Sequence, residues 1–326
     1  MCSLFGWLDY KEIVPDRLKR KLTQALGNAA EERGTDAAGI SYINEGKVVI
    51  YKRPKPAHKL HFNPPEGTRV VMGHTRMTTQ GDGKRNYNNH PFPGLAGETS
   101  FAFAHNGVLW NDKQLRNAKL IPDTHIETDS YAACQLIEAQ QKLDFESLRY
   151  MAETVEGNFT FSILDEHNSL YIIKGSNPMC LLHFPVLGLY IYASTESIMK
   201  KALQKIGLHK FAMERITTDE GDILCIDSSG NITRSEFEPK IYRSKYVSWY
   251  DYDDSSYYNM HEEILLAYCG CYGVDSEDVE LLLEYGYTCD EIEEMLMEPS
   301  MLHEALNEIK FGAGESLYEN CYGGAW

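Results

Sequence analysis

The sequence predicts a layered α+β fold, two β-sheets covered by helices, followed by a small helical module. Three observations support it. Strand patterns outnumber helical ones through the first 240 or so residues. The 326 residues are 43% apolar, which is enough for one large core and a smaller one. The composition changes after about Lys245, so we place the domains at 2–244 and 245–326.

The elements of the first domain follow from apolar spacing and turn residues. Helices are predicted over 16–32, 128–141, 145–155 and 197–206. Thr128 is the expected N-cap of the second helix. Strands are predicted over 38–43, 47–52, 69–75, 101–105, 158–165, 169–174, 190–194, 222–227 and 232–237.

The second domain is acidic. It holds 19 of the acidic residues and 2 of the basic ones, so its local charge equals the whole chain's net charge of −17. A Tyr-rich linker over 249–258 is expected, then helices over 260–269 and 276–285, with Gly286 as a C-cap. Thr288 and Glu291 fit the capping box of a third helix, which restarts after Pro299 and runs to Lys310.

These numbers argue against several classes of protein. No apolar run is long enough for a membrane span, and the N-terminus lacks a secretory signal pattern. We therefore expect a cytoplasmic protein whose eight cysteines are mostly free thiols. The acidic segment would repel phosphates, so nucleic acid is not an expected partner, whereas a basic protein is permitted.

Cys2 combines two chemical assets once Met1 is removed. Its thiol is a nucleophile, and its own α-amine has a pKa near ~7.7–8.0, so the amine can serve as general base. An isolated cysteine at position 2 is weak support for catalysis, and the argument depends on the motifs that follow.

Six short motifs follow one another along the first domain. They are MCSLFG at 1–6, RGTDAAG at 33–39, GHTRMTTQG at 73–81, NHP at 89–91, HNG at 105–107 and ETD at 127–129. This ordered set resembles the class II glutamine amidotransferase domain, the glutaminase of glucosamine-6-phosphate synthase and related enzymes. The resemblance covers roughly residues 2–240 and implies a four-layer αββα Ntn-hydrolase sandwich.

The resemblance implies catalytic roles for three residues. Cys2 corresponds to the nucleophile that attacks the side-chain amide of glutamine. The side chain of Asn106 and the backbone N–H of Gly107 correspond to the donors for the oxyanion. Considered alone, Asn106-Gly107 is more typical of a hairpin turn.

The remaining matches concern the substrate and its surroundings. Arg76 corresponds to the residue that holds the α-carboxylate of glutamine, and Asp129 to the one that pairs with its α-ammonium. Taken singly, they would be read as a surface salt bridge and a first-turn helix acid. Thr79 and His90 match positions that line the pocket. Support for the loop of the nucleophile is expected from two further residues, Arg33 and Asp36.

Two positions depart from the family pattern. Met77 stands where the synthase has an aromatic residue, and Gln80 replaces a histidine. Both changes affect the expected shape of the pocket lid and leave the nucleophile and the glutamine anchors in place.

The implied reaction forms a γ-glutamyl thioester, releases ammonia and hydrolyses the thioester to glutamate, with no metal or organic cofactor. The 82 residues from Lys245 onward are too few for an isomerase or synthetase domain, which suggests a free-standing glutaminase that serves an acceptor or partner synthetase. Two alternatives stay open. One is hydrolysis of γ-glutamyl or other amides, and the other is a glutamine-sensing regulatory protein that acts through the acidic segment.

Overall fold

The computed structural model describes residues 2–240, 274–287, 291–292, 295–296, 301–307 and 309–310. Contacts group the chain into two compact units, Met1–Tyr242 and Arg243–Trp326. Within the described residues, no helix is both long and apolar enough to cross a membrane.

The first unit is built from short strands and five α-helices. Its helices are α1 (Asp16–Ala30), α2 (Asp112–Asn117), α3 (Ser130–Gln140), α4 (Phe145–Thr154) and α5 (Glu196–Ile206). Its strands are β1 (Ser3–Asp9), β2 (Ala37–Asn44), β3 (Lys47–Arg53), β4 (Val70–Arg76), β5 (Phe92–Ala96), β6 (Thr99–Leu109), β7 (Gly157–Asp165), β8 (Leu170–Lys174), β9 (Cys180–Phe184), β10 (Leu189–Ala193), β11 (Glu214–Ile216), β12 (Asp222–Ile226) and β13 (Ile232–Glu236).

The strands form two antiparallel sheets. The first has the order β11-β9-β10-β1-β4-β2-β3, and the second has the order β13-β12-β8-β7-β6-β5. Helices α1 and α5 cover the first sheet, while α3 and α4 cover the second. The predicted layered α+β sandwich is confirmed.

Three buried clusters fill the layers, and alternation along the strands assigns side chains to them. In β1, Phe5 and Trp7 pack under the helices, whereas Leu4 and Leu8 belong to the cluster between the sheets. The other intersheet side chains include Met72 of β4 and several residues of β6 and β7. Strand β1 is therefore buried on both faces, which explains why its apolar run lacks the alternation that predicts a strand.

Most predicted elements lie within two residues of the observed ones, and two local predictions were wrong. Asn106 and Gly107 do not end a strand, because β6 continues to Leu109 and pairs with β7 from Phe101 to Leu109. Helix α3 begins at Ser130 rather than 128, so Thr128 is not its N-cap. Asp129 takes that position without a capping bond, and its carboxylate binds β6 instead. Strands β1, β5, β9 and β11 and helix α2 had no predicted counterpart.

The second unit contains helix α6 (Ser276–Glu284). It is followed by Gly286 at a φ of 101°, as expected for a helix C-cap. Residues 301–307 and 309–310 are helical, in the region of the third predicted helix. A small apolar cluster joins these segments through Val279, Leu282, Ile292 and Leu306. The predicted linker, the helix over 260–269 and the Thr288 half of the capping box lie outside the described residues.

Candidate active site

Cys2 lies immediately before β1, next to the end of β4. Ser3 pairs with Thr75, so Cys2 is placed beside Arg76, the last residue of the neighbouring antiparallel strand. The residue is 9% exposed, and its Sγ lies 3.5 Å from the carbonyl oxygen of Met77. Burial raises the pKa of the Cys2 thiol, while the backbone bond with Met77 and the charge of Arg76 oppose the rise.

Strand alternation directs three of the predicted side chains to the same layer. Cys2, Arg76 and Asn106 have the parity of Leu4, Met72 and Ala104, which fill the space between the sheets. The sandwich therefore brings together residues that lie far apart in the sequence.

Two side chains brace the backbone around the thiol. Arg33 donates a hydrogen bond from Nε to the carbonyl oxygen of Cys2 at 3.0 Å. The backbone N–H of Asp36 donates to the carbonyl of Arg76 at 3.0 Å, and its carboxylate accepts from the Thr78 N–H at 2.7 Å. Arg33 and Asp36 thus contact the backbone beside Cys2 and Arg76.

Arg76 is a buried cation, 3% exposed. Among the described residues, no Asp or Glu oxygen lies within 4.0 Å of its guanidinium. Two neutral oxygens hold it instead, Asn89 Oδ1 at 2.7 Å and the Gln80 carbonyl at 2.5 Å. Burial lowers the pKa of Arg76, the charges of Cys2 and Asp129 oppose that effect, and the guanidinium stays charged at neutral pH.

Asp129 is a buried acid, also 3% exposed. Its Oδ2 accepts a hydrogen bond from the Leu109 N–H at 2.6 Å. In the part of the chain that the structure describes, it forms no ion pair with a basic side chain. Burial raises the pKa of Asp129 to about 6, although backbone bonds from Leu109 and Ser130 favour the ionised form.

The two buried charges interact with the thiol and with each other. The positive charge of Arg76 lowers the pKa of Cys2 and the negative charge of Asp129 raises it. Asp129 also raises the pKa of Arg76. A nucleophile is therefore close to one buried cation and one buried anion, an arrangement complementary to the carboxylate and ammonium of a free amino acid.

Asn106 and Gly107 lie next to the thiol's strand. The Asn106 side chain is fully buried, and its Nδ2 lies 3.4 Å from Oγ of Ser194. The same hydroxyl oxygen accepts from the backbone N–H of Leu4 at 2.8 Å, which ties Asn106 to β1. Gly107 has a φ of 146°, and a Cβ there would lie 1.9 Å from the carbonyl oxygen of Asn158. Only glycine fits this position.

Comparison with known proteins finds relatives that match part of this sequence. The glutamine–fructose-6-phosphate aminotransferase of Staphylococcus aureus strain Mu50 is 29% identical over 194 residues, and that of Staphylococcus epidermidis strain RP62A is 30% identical over 190 residues. The alignments cover 56% and 55% of this chain and 30% of each relative. No protein-family model matches the sequence.

Among solved structures, the glutamine phosphoribosylpyrophosphate amidotransferase of B. subtilis, complexed with ADP and GMP, has a similar fold. The TM-score is 0.57 at 19% identity, over 73% of this chain and 49% of that one. The first unit is a homologue of class II glutamine amidotransferase domains. It has their Ntn-hydrolase fold, and the chain spans about 30% of the length of the curated relatives it matches.

In the first unit, the two predicted pocket residues occupy different environments. His90 is 3% exposed, and its ring contacts those of His74 and Phe92, at centroid distances of 4.1 and 4.4 Å. Neither ring nitrogen of His90 has a hydrogen-bond partner among the described residues, and burial keeps the pKa of its imidazole well below the ordinary value. Thr79 is exposed on the loop that follows β4.

Hydrogen bonds connect the loop after β4 to the segment before Asp129. Glu127 accepts from the Asp82 N–H at 3.1 Å, from Asn88 Nδ2 at 2.8 Å and from Arg85 at 2.6 Å. Gln80, one of the two departures from the family pattern, donates to the Glu127 carbonyl at 3.2 Å. Gln80 thus connects the loop after β4 to the segment that precedes Asp129.

The sequence assigns no role to two contributors. Asn89, which contacts Arg76, lies in the NHP motif but is matched to no function, and Ser194, which contacts Asn106, lies outside all six motifs. Their contacts are with residues distant in the chain, so only the folded arrangement reveals them. A surface cleft of about 450 Å³ beside α2 contains none of the site residues.

Proposed function

We propose that this protein hydrolyses the side-chain amide of glutamine through a Cys2 thioester, giving glutamate and ammonia. The observation that carries the proposal is the pair of buried, oppositely charged groups near the thiol, Arg76 and Asp129, neither of which has an ion-pair partner among the described residues.

A buried charge without a partner is costly, and a ligand of opposite charge relieves that cost. The guanidinium of Arg76 suits a carboxylate, and the carboxylate of Asp129 suits an ammonium. A free α-amino acid carries both groups on one carbon. The substrate is then anchored by its head group, and its side-chain amide extends toward Cys2.

The chemistry proceeds in two balanced steps. Sulfur of Cys2 attacks the amide carbon, and the thiol proton passes to the departing nitrogen as the C–N bond breaks. Water then attacks the thioester carbon, releases glutamate and restores the thiol. During both steps, Asn106 Nδ2 and the Gly107 N–H are proposed to stabilise the oxyanion, and the α-amine of a processed Cys2 serves as the base.

The other predicted residues take supporting roles in this proposal. Arg33 and Asp36 hold the backbone at Cys2 and Arg76, as their hydrogen bonds suggest. Thr79, exposed on the loop after β4, and His90, whose ring packs against that of His74, are proposed to line the glutamine pocket.

The ammonia is proposed to pass to an acceptor enzyme or partner synthetase. The relatives' names specify fructose 6-phosphate or phosphoribosyl pyrophosphate as their own acceptors, and these names do not extend to this chain. The acidic residues after Lys245 would favour a basic protein partner.

The test compares glutamine with butyramide, which keeps the amide and lacks the head group. Protein that begins at Cys2 should release ammonia from glutamine and very little from butyramide. Arg76→Met should lose about 10- to 100-fold in kcat/KM for glutamine, the usual loss for a charge-assisted bond, and leave butyramide unchanged. Arg17→Met, on the exposed face of α1, is the matched control.

Covalent labelling of the thiol is the second part of the experiment. A diazo-ketone analogue of glutamine should add once, at Cys2, and free glutamine should protect the thiol. Absence of both glutamine hydrolysis and this adduct would sink the proposal. A γ-glutamyl peptide that is cleaved faster than glutamine would move the substrate to the γ-glutamyl amides.

A further inference from the structure

Asn89 is a fully buried amide whose side chain is satisfied at both ends. Its Oδ1 accepts from Arg76 Nη1 at 2.7 Å, and its Nδ2 donates to the Gly83 carbonyl at 2.9 Å. The amide therefore has one orientation, since a flip would place its NH₂ group against the guanidinium. Arg76 is held from one side by this fixed acceptor and from another by the Gln80 carbonyl.

Both acceptors are neutral, so neither cancels the positive charge of Arg76. A carboxylate at the same place would form a buried ion pair and neutralise Arg76. An amide oxygen fixes the guanidinium and leaves its full positive charge for a ligand. Arginine has five N–H donors, and the hydrogen bonds to Asn89 and Gln80 use only two of them.

Lys52 of β3 holds the backbone of Asn89. Its Nζ donates to the Asn89 carbonyl at 2.5 Å and lies 4.9 Å from the ring centroid of Phe92. Asn86 of the same loop donates in turn to the Lys52 carbonyl at 3.1 Å. The loop residue that orients Arg76 is thus fastened to the edge strand of the first sheet.

We propose that Asn89, held by Lys52, is a positioning residue that orients Arg76 for the substrate carboxylate and keeps its charge uncompensated. The inference rests on the proposed function. It adds a further residue to the machinery that selects a substrate with a carboxylate head group.

The decisive variant is Asn89→Asp, which keeps the size and the acceptor oxygen and adds a negative charge. In full-chain protein that begins at Cys2, we expect KM for glutamine to rise about 10- to 100-fold while kcat changes less than about threefold. Asn89→Ala should raise KM by a similar factor. Asn44→Asp, the same chemical change at an exposed end of β2, should leave both constants unaltered.

A second readout separates positioning from general disruption. Alkylation of Cys2 by iodoacetamide needs no head group, whereas alkylation by the diazo-ketone glutamine analogue does. Asn89→Asp should slow the second reaction about tenfold or more and leave the first within about twofold of the parent protein. Equal losses in both reactions would overturn the proposal, as would an unchanged KM.

Variants of Lys52 provide a second test if the Asn89 variants fail to fold. Lys52→Met should raise KM for glutamine about tenfold, and Lys52→Arg, which restores the donor, should recover most of the loss. A Lys52→Met protein with normal KM would count against the proposal. Failure of the underlying function would be visible separately, because the parent protein itself would form no analogue adduct.

Discussion

The side-chain nitrogen of Asn106 lies 3.4 Å from the hydroxyl oxygen of Ser194. That separation is at the long end for a hydrogen bond, so the contact orients the amide without engaging its donors strongly. Ser194 is fixed more firmly by the Leu4 N–H at 2.8 Å. The Asn106 amide is therefore prepositioned against the strand of Cys2 and keeps donor capacity for an oxyanion.

Asn106→Ala should lower kcat for glutamine about 10²- to 10³-fold with little change in KM, because the lost donor acts in the transition state. Ser194→Ala should lower kcat less and cost about 1–3 kcal/mol of unfolding free energy, since it strands the buried Leu4 N–H. Steady-state kinetics and urea unfolding measure the two effects. A normal kcat in Asn106→Ala would remove this residue from the oxyanion site.

Gly107→Ala should prevent the native fold from forming at this position. The φ of 146° is unfavourable for alanine, and the new Cβ would lie 1.9 Å from the backbone oxygen of Asn158. Gly46→Ala is the matched control, with a φ of 71° and nothing within 4 Å of the new Cβ, and should cost about 1–2 kcal/mol. Equal unfolding free energies for the two variants would contradict the expectation.

Periodicity predicted the layers of this fold because most of its helices have one apolar face and many of its strands have one buried face. It failed for β1, whose residues are all buried, since a strand in the middle of a covered sheet has no polar face to reveal it. Asn106-Gly107 produced the opposite error. This dipeptide is typical of turns, but it lies inside a long strand, and the residues before and after it in β6 pair with β7.

Some site residues are predictable from the sequence and others are not. Cys2, Arg76, Asp129, Asn106 and Gly107 fall in motifs, so the family resemblance alone is enough to predict them. Asn89 also lies in a motif, at 89–91, but its hydrogen bond to Arg76 is visible only in the folded structure. Ser194 and Lys52 lie outside the motifs and contribute through hydrogen bonds across the fold, which no local sequence pattern predicts.

Binding of glutamine should weaken as the pH falls through about 6. Burial raises the pKa of Asp129 to about 6, so at lower pH the acid is neutral and no longer attracts the substrate ammonium. Affinity should fall up to about tenfold per pH unit below that point. Calorimetry on Cys2→Ala protein between pH 5 and about 7.5 measures this. Asp129→Asn should bind weakly at every pH, and a persisting pH dependence in that variant would assign the titration to another group.

The stability of the first unit should fall with acidification. Burial lowers the pKa of His74 and His105 to about 3 and that of His90 well below its ordinary value. Their stabilising contribution is complete above about 6.5 and is lost as the pH falls toward 3, because only the unfolded chain takes up protons there. Each histidine adds about 1.4 kcal/mol per pH unit, partly offset by Asp129, whose raised pKa acts in the opposite direction below 6.

Urea unfolding at pH 7 and about 5.5 tests that dependence. His90→Leu should reduce the slope by about one histidine's share. A parent protein equally stable at both pH values would show that the three imidazoles are not held neutral by burial.

Removal of Met1 should switch on glutamine hydrolysis. With Met1 attached, the nitrogen of Cys2 is an amide and has no basicity, whereas the freed α-amine has a pKa near ~7.7–8.0 and can take the thiol proton. Arg33 holds the carbonyl of Cys2, so we expect the thiol to keep its position in both forms. Intact mass spectrometry establishes which form is present, and ammonia release compares their rates. Iodoacetamide should alkylate both forms, which separates loss of the base from loss of the thiol. Full activity with Met1 retained would show that the α-amine is not the base, and another group would then have to accept the proton.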